Sequence, residues 1–178
     1  MFKNEHLLIL PVPFRESGNT LLVELQARHG LERWLDHFET LVLAAPVLPE
    51  SIAADMRETH WVALDKLSSR VRLVPLPWAY RPDQFIRYLP GTIPILSQLI
   101  DESRYLQFGI GAFWGDWAAV GAEIAMRKQR KFAVHTDRVE HESILRTSRN
   151  LGIRKRWRAY VDSPLMKAWH KRIIEKCH

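Results

Sequence analysis

Only one residue of the 178 is a cysteine, Cys177, next to last in the sequence. That excludes a disulfide framework and any metal site built from several thiolates, and it predicts a reducing, cytoplasmic setting. Long apolar runs are missing too. Met1 to Pro13 carries one lysine and a short apolar run broken by Pro11 and Pro13. This is too short to span a membrane and has no small-residue cleavage site, so no secretion signal is expected. Nor is there any internal repeat or low-complexity segment. What is present, 47% apolar residues, 10% aromatics and 26% charged residues, is the composition of an ordinary globular domain, and the length is enough for one full core.

Charge is unevenly distributed. The net charge is +6, but Arg146 to His178 holds ten Lys or Arg against Asp162 and Glu175, so this tail carries +8 and the first 145 residues together carry −2. No recognised nucleic-acid module accompanies the basic tail, and no nucleic-acid partner is expected. Ile153, Trp157, Tyr160 and Val161 share one helical face there, as do Leu165, Met166, Trp169, Ile173 and Cys177. Two readings stand for such basic amphipathic helices: packing of the stripes on the core with the cations solvated, or peripheral contact with an anionic membrane.

Apolar runs of strand length, His6 to Val12, Thr40 to Val47, Val71 to Leu76, Tyr105 to Ile110 and Lys131 to His135, alternate with stretches of helical periodicity. Helices are expected over Thr20 to Phe38, from Pro82 to a break at Pro90-Gly91, from Thr92 onward, and from an Asp116 N-cap through Arg127. Met56 to Leu64 reads either as a short helix or as an edge strand. Small residues Ala118, Ala119, Gly121 and Ala122 suit close approach of the last of these helices to a sheet. The alternation implies an α/β fold, a Rossmann-like doubly wound, mostly parallel sheet over residues 1–150, with a helical C-terminal tail over 151–178. Within the last third, Glu140 to Arg149, Ile153 to Val161 and Pro164 to Cys177 read as helices, the third restarted by Ser163 and Pro164.

Candidate chemistry gathers at strand ends. The strand ending at His135 runs directly into Thr136, Asp137, Glu140 and His141, where open α/β sheets place their sites. His135 there can bond a sugar or phosphate, or simply a neighbouring loop. Asp137, Glu140, His141 and Glu142 with His135 offer metal-type donors, but consecutive residues fan around a helix axis, and acidic residues in a first turn also complement the helix dipole; no metal is expected. Gly109-Ile-Gly111-Ala-Phe-Trp-Gly115 approximates a dinucleotide fingerprint, with Trp114 where the third glycine belongs. The loop Arg15 to Asn19, with Gly18, follows the first strand, and its N–H groups either cradle an anion or form a plain turn.

Gly115-Asp116-Trp117, the Ala-rich helix and Arg130-Lys-Phe-Ala-Val-His135-Thr-Asp137-Arg-Val-Glu140-His141 together resemble the N-terminal domain of GT-B-type glycosyltransferases, the family 4-like group. Leu73-Val-Pro-Leu-Pro77 and Met166-Lys-Ala-Trp-His170 are similar in placement. In that family one Rossmann-like domain holds the acceptor and a second holds the nucleotide-sugar. The resemblance implies that this chain is the acceptor-binding half of an enzyme of polysaccharide biosynthesis, with a glycan or lipid-linked acceptor and no resident cofactor beyond the nucleotide-sugar co-substrate. It assigns His135 to the neighbourhood of the transferred sugar, and Gly18, Asn19, Asp137 and Glu140 to the substrate. The acidic donor-site motif has no counterpart among these residues, so the chain is expected to need a separate donor-binding domain or chain and to be inactive alone. The rival expectation is a non-catalytic Rossmann-like domain that docks on a membrane or a protein partner.

Overall fold

In chain order the elements are β1 (Lys3–Ile9), β2 (Arg15–Ser17), β3 (Thr20–Glu24), α1 (Leu25–Trp34), β4 (Thr40–Pro46), α2 (Glu50–Ala53), β5 (Trp61–Val62), β6 (Val71–Leu76), α3 (Pro82–Glu102), β7 (Ser103–Gly109), α4 (Trp117–Arg127), β8 (Ala133–His135) and α5 (Ile153–Ile174). The structure is a computed structural model that describes residues 3–54, 56, 58–64, 67, 69–136 and 153–177. Five strands form one sheet, all parallel, in the order β6-β4-β1-β7-β8. The chain starts in the middle, winds outward to β6, then returns past β1 to β7 and β8. This is the Rossmann-like α/β order, and its topological switch point lies between β1 and β7.

Alternation along the strands divides the core into two halves. Leu7, Ile9, Val42 and Ala44 face α3, α4 and α5, where they meet Leu96, Ile100, Trp117 and Ile173. Leu8, Leu41 and Leu43 face the other way, onto Leu31 of α1, Leu35 just after it and Val23 of β3. Burying each such side chain is worth about 1.5–3 kcal/mol, so both faces of the sheet must stay covered. The small residues of α4 do what their size suggests: a Cβ on Gly121 would lie 2.8 Å from Ile9 Cδ1 and 3.1 Å from a Phe108 ring carbon.

Three local expectations are corrected. Residues 20–24 are not helical; Thr20 to Glu24 is a strand, paired antiparallel with β2 and β5 in a three-stranded sheet. Gly18, at φ +58 with Asn19 after it, closes a two-residue turn in which Ser17 faces Thr20, and a glycine first in such a turn matches the twist of the strands it joins. Pro90-Gly91 does not break α3, which runs unbroken from Pro82 to Glu102. Pro90 and Pro94 lie on its exposed face, where the carbonyls they leave without helical donors can meet water, and buried Thr92, instead of capping a helix, donates its hydroxyl to Tyr88 O at 2.9 Å. Ser163-Pro164 likewise starts no new helix, because α5 is anchored on both sides of the proline, by Asp162 on Trp114 and by fully buried Met166. The segment left between helix and strand holds β5, an edge strand on β3. The proposed helix Glu140 to Arg149 lies outside the described residues. No helix among the described residues is long and apolar enough to cross a membrane.

The tail divides by position. Met166 and Ile173 are fully buried and Trp169 packs on the core, while Trp157, Tyr160, Val161 and Leu165 are exposed, Trp157 at 72%. The second stripe therefore packs on the domain through Met166, Trp169 and Ile173 but not Leu165, and Trp157, Tyr160 and Val161 of the first are exposed.

One core residue makes the fold sensitive to acid. His6 is 4% exposed, stacks on Trp34 (4.8 Å between centroids) and Phe38 (4.3 Å), and neither ring nitrogen has a hydrogen-bond partner. Burial lowers its pKa to about 4, opposed only in part by the Gln107 side chain, which does not reach hydrogen-bonding geometry. The folded protein thus resists taking up a proton that the unfolded chain accepts near pH 6.5, so stability is complete above that pH and falls as pH drops toward 4. The loss should amount to about 3 kcal/mol across this window. Thermal midpoints measured at half-unit steps from pH 7 to 4 should decline accordingly, and His6→Phe, which has no proton to gain, should flatten the decline; equal slopes for the two proteins would refute the assignment.

Candidate functional site

The carboxyl edge of the sheet is built from three loops that touch. Leu10 to Pro13 follows β1, Pro77 to Arg81 follows β6, and Ile110 to Asp116 follows β7. Gly109 lies against the first: a Cβ there would be 2.9 Å from Leu10 Cδ2 and 3.3 Å from Pro11 Cδ. Gly115 lies against the second, at φ +77 with its missing Cβ 2.8 Å from the Ala79 carbonyl carbon, so glycine is required both for conformation and for space. The Tyr80 hydroxyl donates to Pro11 O at 3.4 Å, and Trp117 Nε1 donates to Pro77 O at 2.8 Å.

Asp116 sits at the centre of this assembly. Its Oδ1 accepts the Ala119 N–H at 2.8 Å, capping α4 as expected, and its Oδ2 accepts the Gly111 and Ala112 N–H groups, each at 3.0 Å. His170 reaches in from α5, with Nε2 3.1 Å from Ala112 O and 3.5 Å from Asp116 Oδ2. The first of these contacts needs the proton on Nε2, which then also points a partial positive charge at the carboxylate. Tyr80 feels the same site: burial first, and the Asp116 charge second, push its hydroxyl well above the usual tyrosine range. Further contacts hold α5 in place, Trp114 Nε1 to Asp162 Oδ2 at 2.9 Å and Trp169 Nε1 to Glu123 Oε1 at 3.1 Å.

This geometry counts against the dinucleotide reading. A pyrophosphate at the switch point would need the loop N–H groups, and the carboxylate of Asp116 already takes those of Gly111 and Ala112. The chain carries its own anion in that position.

His135 ends β8 on this same edge, with its side chain exposed and its carbonyl accepting the Ile110 N–H at 3.0 Å. Gly18 and Asn19 form the exposed tip of the β2–β3 hairpin, which leaves the edge on the far side of β1, where Phe14 bridges Val47. They are not at a helix start, since α1 begins at Leu25, and the anion-cradle reading of this loop loses its helix. The turn instead borders a polar recess of about 270 Å³ whose walls include Arg15, Glu16 and Glu50. His135 and the hairpin are thus on one edge but on opposite sides of the switch point. Asp137 and Glu140, like His141 and Glu142, lie outside the described residues. Among the described residues no three His, Cys, Asp or Glu side chains cluster as metal ligands.

His170 and Tyr80 were not singled out as site residues. Each is far in sequence from Asp116, and His170 stands only in a segment noted for its placement; the docking of α5 and the close packing of the Ala79-Tyr80 turn bring them together. Comparison with known proteins finds no match, whether among family models, curated proteins or solved structures.

Asp116→Asn tests the centre directly. Whichever way the amide is turned, its NH2 faces backbone N–H donors in place of an acceptor, so at least one charge-assisted bond becomes a clash of donors. The expected cost is about 2–3 kcal/mol, read as a lower urea midpoint with unchanged slope. A midpoint equal to that of the parent protein would show that the carboxylate does not hold this loop.

Proposed function

We propose that this chain is the acceptor-binding half of a glycosyltransferase. In the completed enzyme the acceptor hydroxyl attacks the anomeric carbon of a nucleotide-sugar, the bond to the nucleotide diphosphate breaks, and the hydroxyl proton is released. This half holds the glycan or lipid-linked acceptor, and a donor-binding domain or chain holds the nucleotide.

The observation that carries the reading is how polar groups are divided along the carboxyl edge. Side chains suited to sugar hydroxyls stand there, His135 at one strand end and Arg15, Glu16 and Glu50 around the Gly18 turn, whereas two loop N–H groups suited to a nucleotide's phosphates, those of Gly111 and Ala112, are taken by Asp116. Carboxylates accept from hydroxyls and guanidinium donates to them, and an imidazole does either. His135 in this reading bonds the acceptor or takes its proton. The resemblance of the Val-His-x-Asp segment points the same way and extends the acceptor site to Asp137 and Glu140.

One observation favours a second reading. The outward stripe of α5, Trp157, Tyr160 and Leu165, is exposed beside a basic stretch of sequence, which suits a binding domain that docks on an anionic membrane surface. Co-sedimentation with anionic vesicles that falls as salt is raised would favour it, and its absence at low salt would count against it.

For the leading reading, the thermal midpoint of the chain should rise with glycan or lipid-linked acceptors and stay unchanged with nucleotide-sugars. Turnover by the isolated chain in the ordinary range of about 1 to 1,000 per second would overturn it. In the completed enzyme His135→Ala should lower kcat by about 10²–10⁴-fold while leaving the midpoint unchanged; full activity would remove His135 from the site.

A further inference from the structure

The outer side of α3 is a face that nothing among the described residues covers. Four large apolar side chains left exposed, Ile86 at 65% with Tyr88, Ile93 and Ile95, fall within ten consecutive residues of this one helix. Pro90, Gly91 and Pro94 are exposed between them. From Tyr88 to Gln98 there is no charged residue, although the outer side of a surface helix is ordinarily its charged side. Single exposed apolar residues are common on any protein, whereas a contiguous uncharged face along a helix marks a contact surface.

Gly91 is an independent observation. A glycine inside a helix costs about 1 kcal/mol relative to alanine. Close packing justifies Gly121 in α4, yet a Cβ on Gly91 would meet nothing within 4 Å. The space left by its missing side chain is on the outside, in the middle of the uncharged face, where a second helix gains room to approach.

Charge at the two ends of the face decides what covers it. Arg87 lies seven residues before Pro94, and Asp101 seven residues after it. Seven residues make nearly two helical turns, so the three point the same way, each about 10 Å from the next along the axis. Arg87 is exposed and makes no ion pair among the described residues. Asp101 gives its Oδ2 to Lys128 but is still 57% exposed, and its Oδ1 has no partner among the described residues. A face with a cation at one end and a carboxylate at the other is complementary to itself turned end for end. An anionic membrane would instead meet Asp101 and Glu102.

We infer that this face is where two copies of the chain associate, through an antiparallel contact of α3 with the partner's α3 whose two-fold axis passes at Pro94. That symmetry sets each Arg87 against the partner's Asp101, twice over, and lines the two sides of the seam with Ile93 and Ile95 of both copies. Gly91 lets the two backbones come close. A contact of this isologous kind is closed, so association stops at the dimer. It extends over one helix, about 31 Å, which is small for an obligate interface, and the expected dimer is reversible with a Kd of about 1–100 µM. The inference does not depend on the acceptor reading.

Sedimentation equilibrium of the full chain from about 1 to 200 µM should show monomer and dimer in exchange. Gly91→Glu should weaken the dimer about tenfold or more. The new side chain has open space in the single chain, so helix content by circular dichroism should be unchanged. Arg87→Asp and Asp101→Arg, each acting twice across the two-fold axis, should each weaken it about tenfold, and the two together should restore it to within about twofold of the parent. A residue acting only within its own chain gives no such rescue. A chain that stays monomeric throughout, a dimer that Gly91→Glu leaves as tight, or a double variant no tighter than the single ones overturns the proposal. Binding of the monomer to phosphatidylcholine vesicles that Gly91→Glu abolishes also overturns it, and gives the face to a membrane.

Discussion

A single buried carboxylate holds the carboxyl edge together. Asp116 caps α4, fixes the loop after β7 through two further N–H groups and faces His170 of α5, so one side chain sets the start of a helix, the path of a loop and the seat of the last helix. Its cost of burial is met by three backbone donors, the arrangement under which a buried anion is stable. The same economy limits what the edge can bind. In many open α/β sheets the loop N–H groups at the switch point await a ligand's phosphate; here those of Gly111 and Ala112 serve the protein's own structure.

Two prolines in α3 and one in α5 show how tertiary packing overrides local preference. Each removes a helical donor, a change that costs about 3 kcal/mol in an isolated helix. α3 continues because Leu96, Leu99 and Ile100 bury their side chains against the sheet while Pro90 and Pro94 look outward. Cohesion on one face outweighs the lost bonds on the other. In α5 the same balance is struck by Met166 and Ile173, which are fully buried and flank Trp169 on the packed face.

That balance explains which features were legible in the sequence. Strands with continuous apolar runs, such as Thr40 to Pro46, were readable because a doubly covered strand needs nothing else. The Asp116 cap and the small face of α4 were readable because both are local in sequence. The β2–β3 hairpin was hidden because Leu21, Leu25, Leu31 and Trp34 mimic a helical stripe while belonging to two elements. The breaks assigned to Pro90-Gly91 and Ser163-Pro164 failed because a residue-by-residue rule ignores what the rest of the helix packs on. His135 could be placed at a strand end from the sequence alone. His170 could not, since its role exists only once α5 has docked.

The two edges of the sheet therefore differ in kind. At the carboxyl edge charges are internalised and matched, Asp116 by backbone donors and Asp162 by Trp114. At the amino edge Arg127, Arg130, Arg172 and Lys176 line an open groove, with Glu123 accepting from Arg172 and the carbonyls of Ile100 and Ser103 accepting from Arg130. The outward stripe of α5 adds a third surface, where Trp157 at 72% exposure is held on a helix whose next turns are firmly anchored. Leaving that much aromatic surface in water forgoes about 25 cal/mol for every Å² not buried, so the stripe has a favourable free energy available to it on docking that the fold itself does not use.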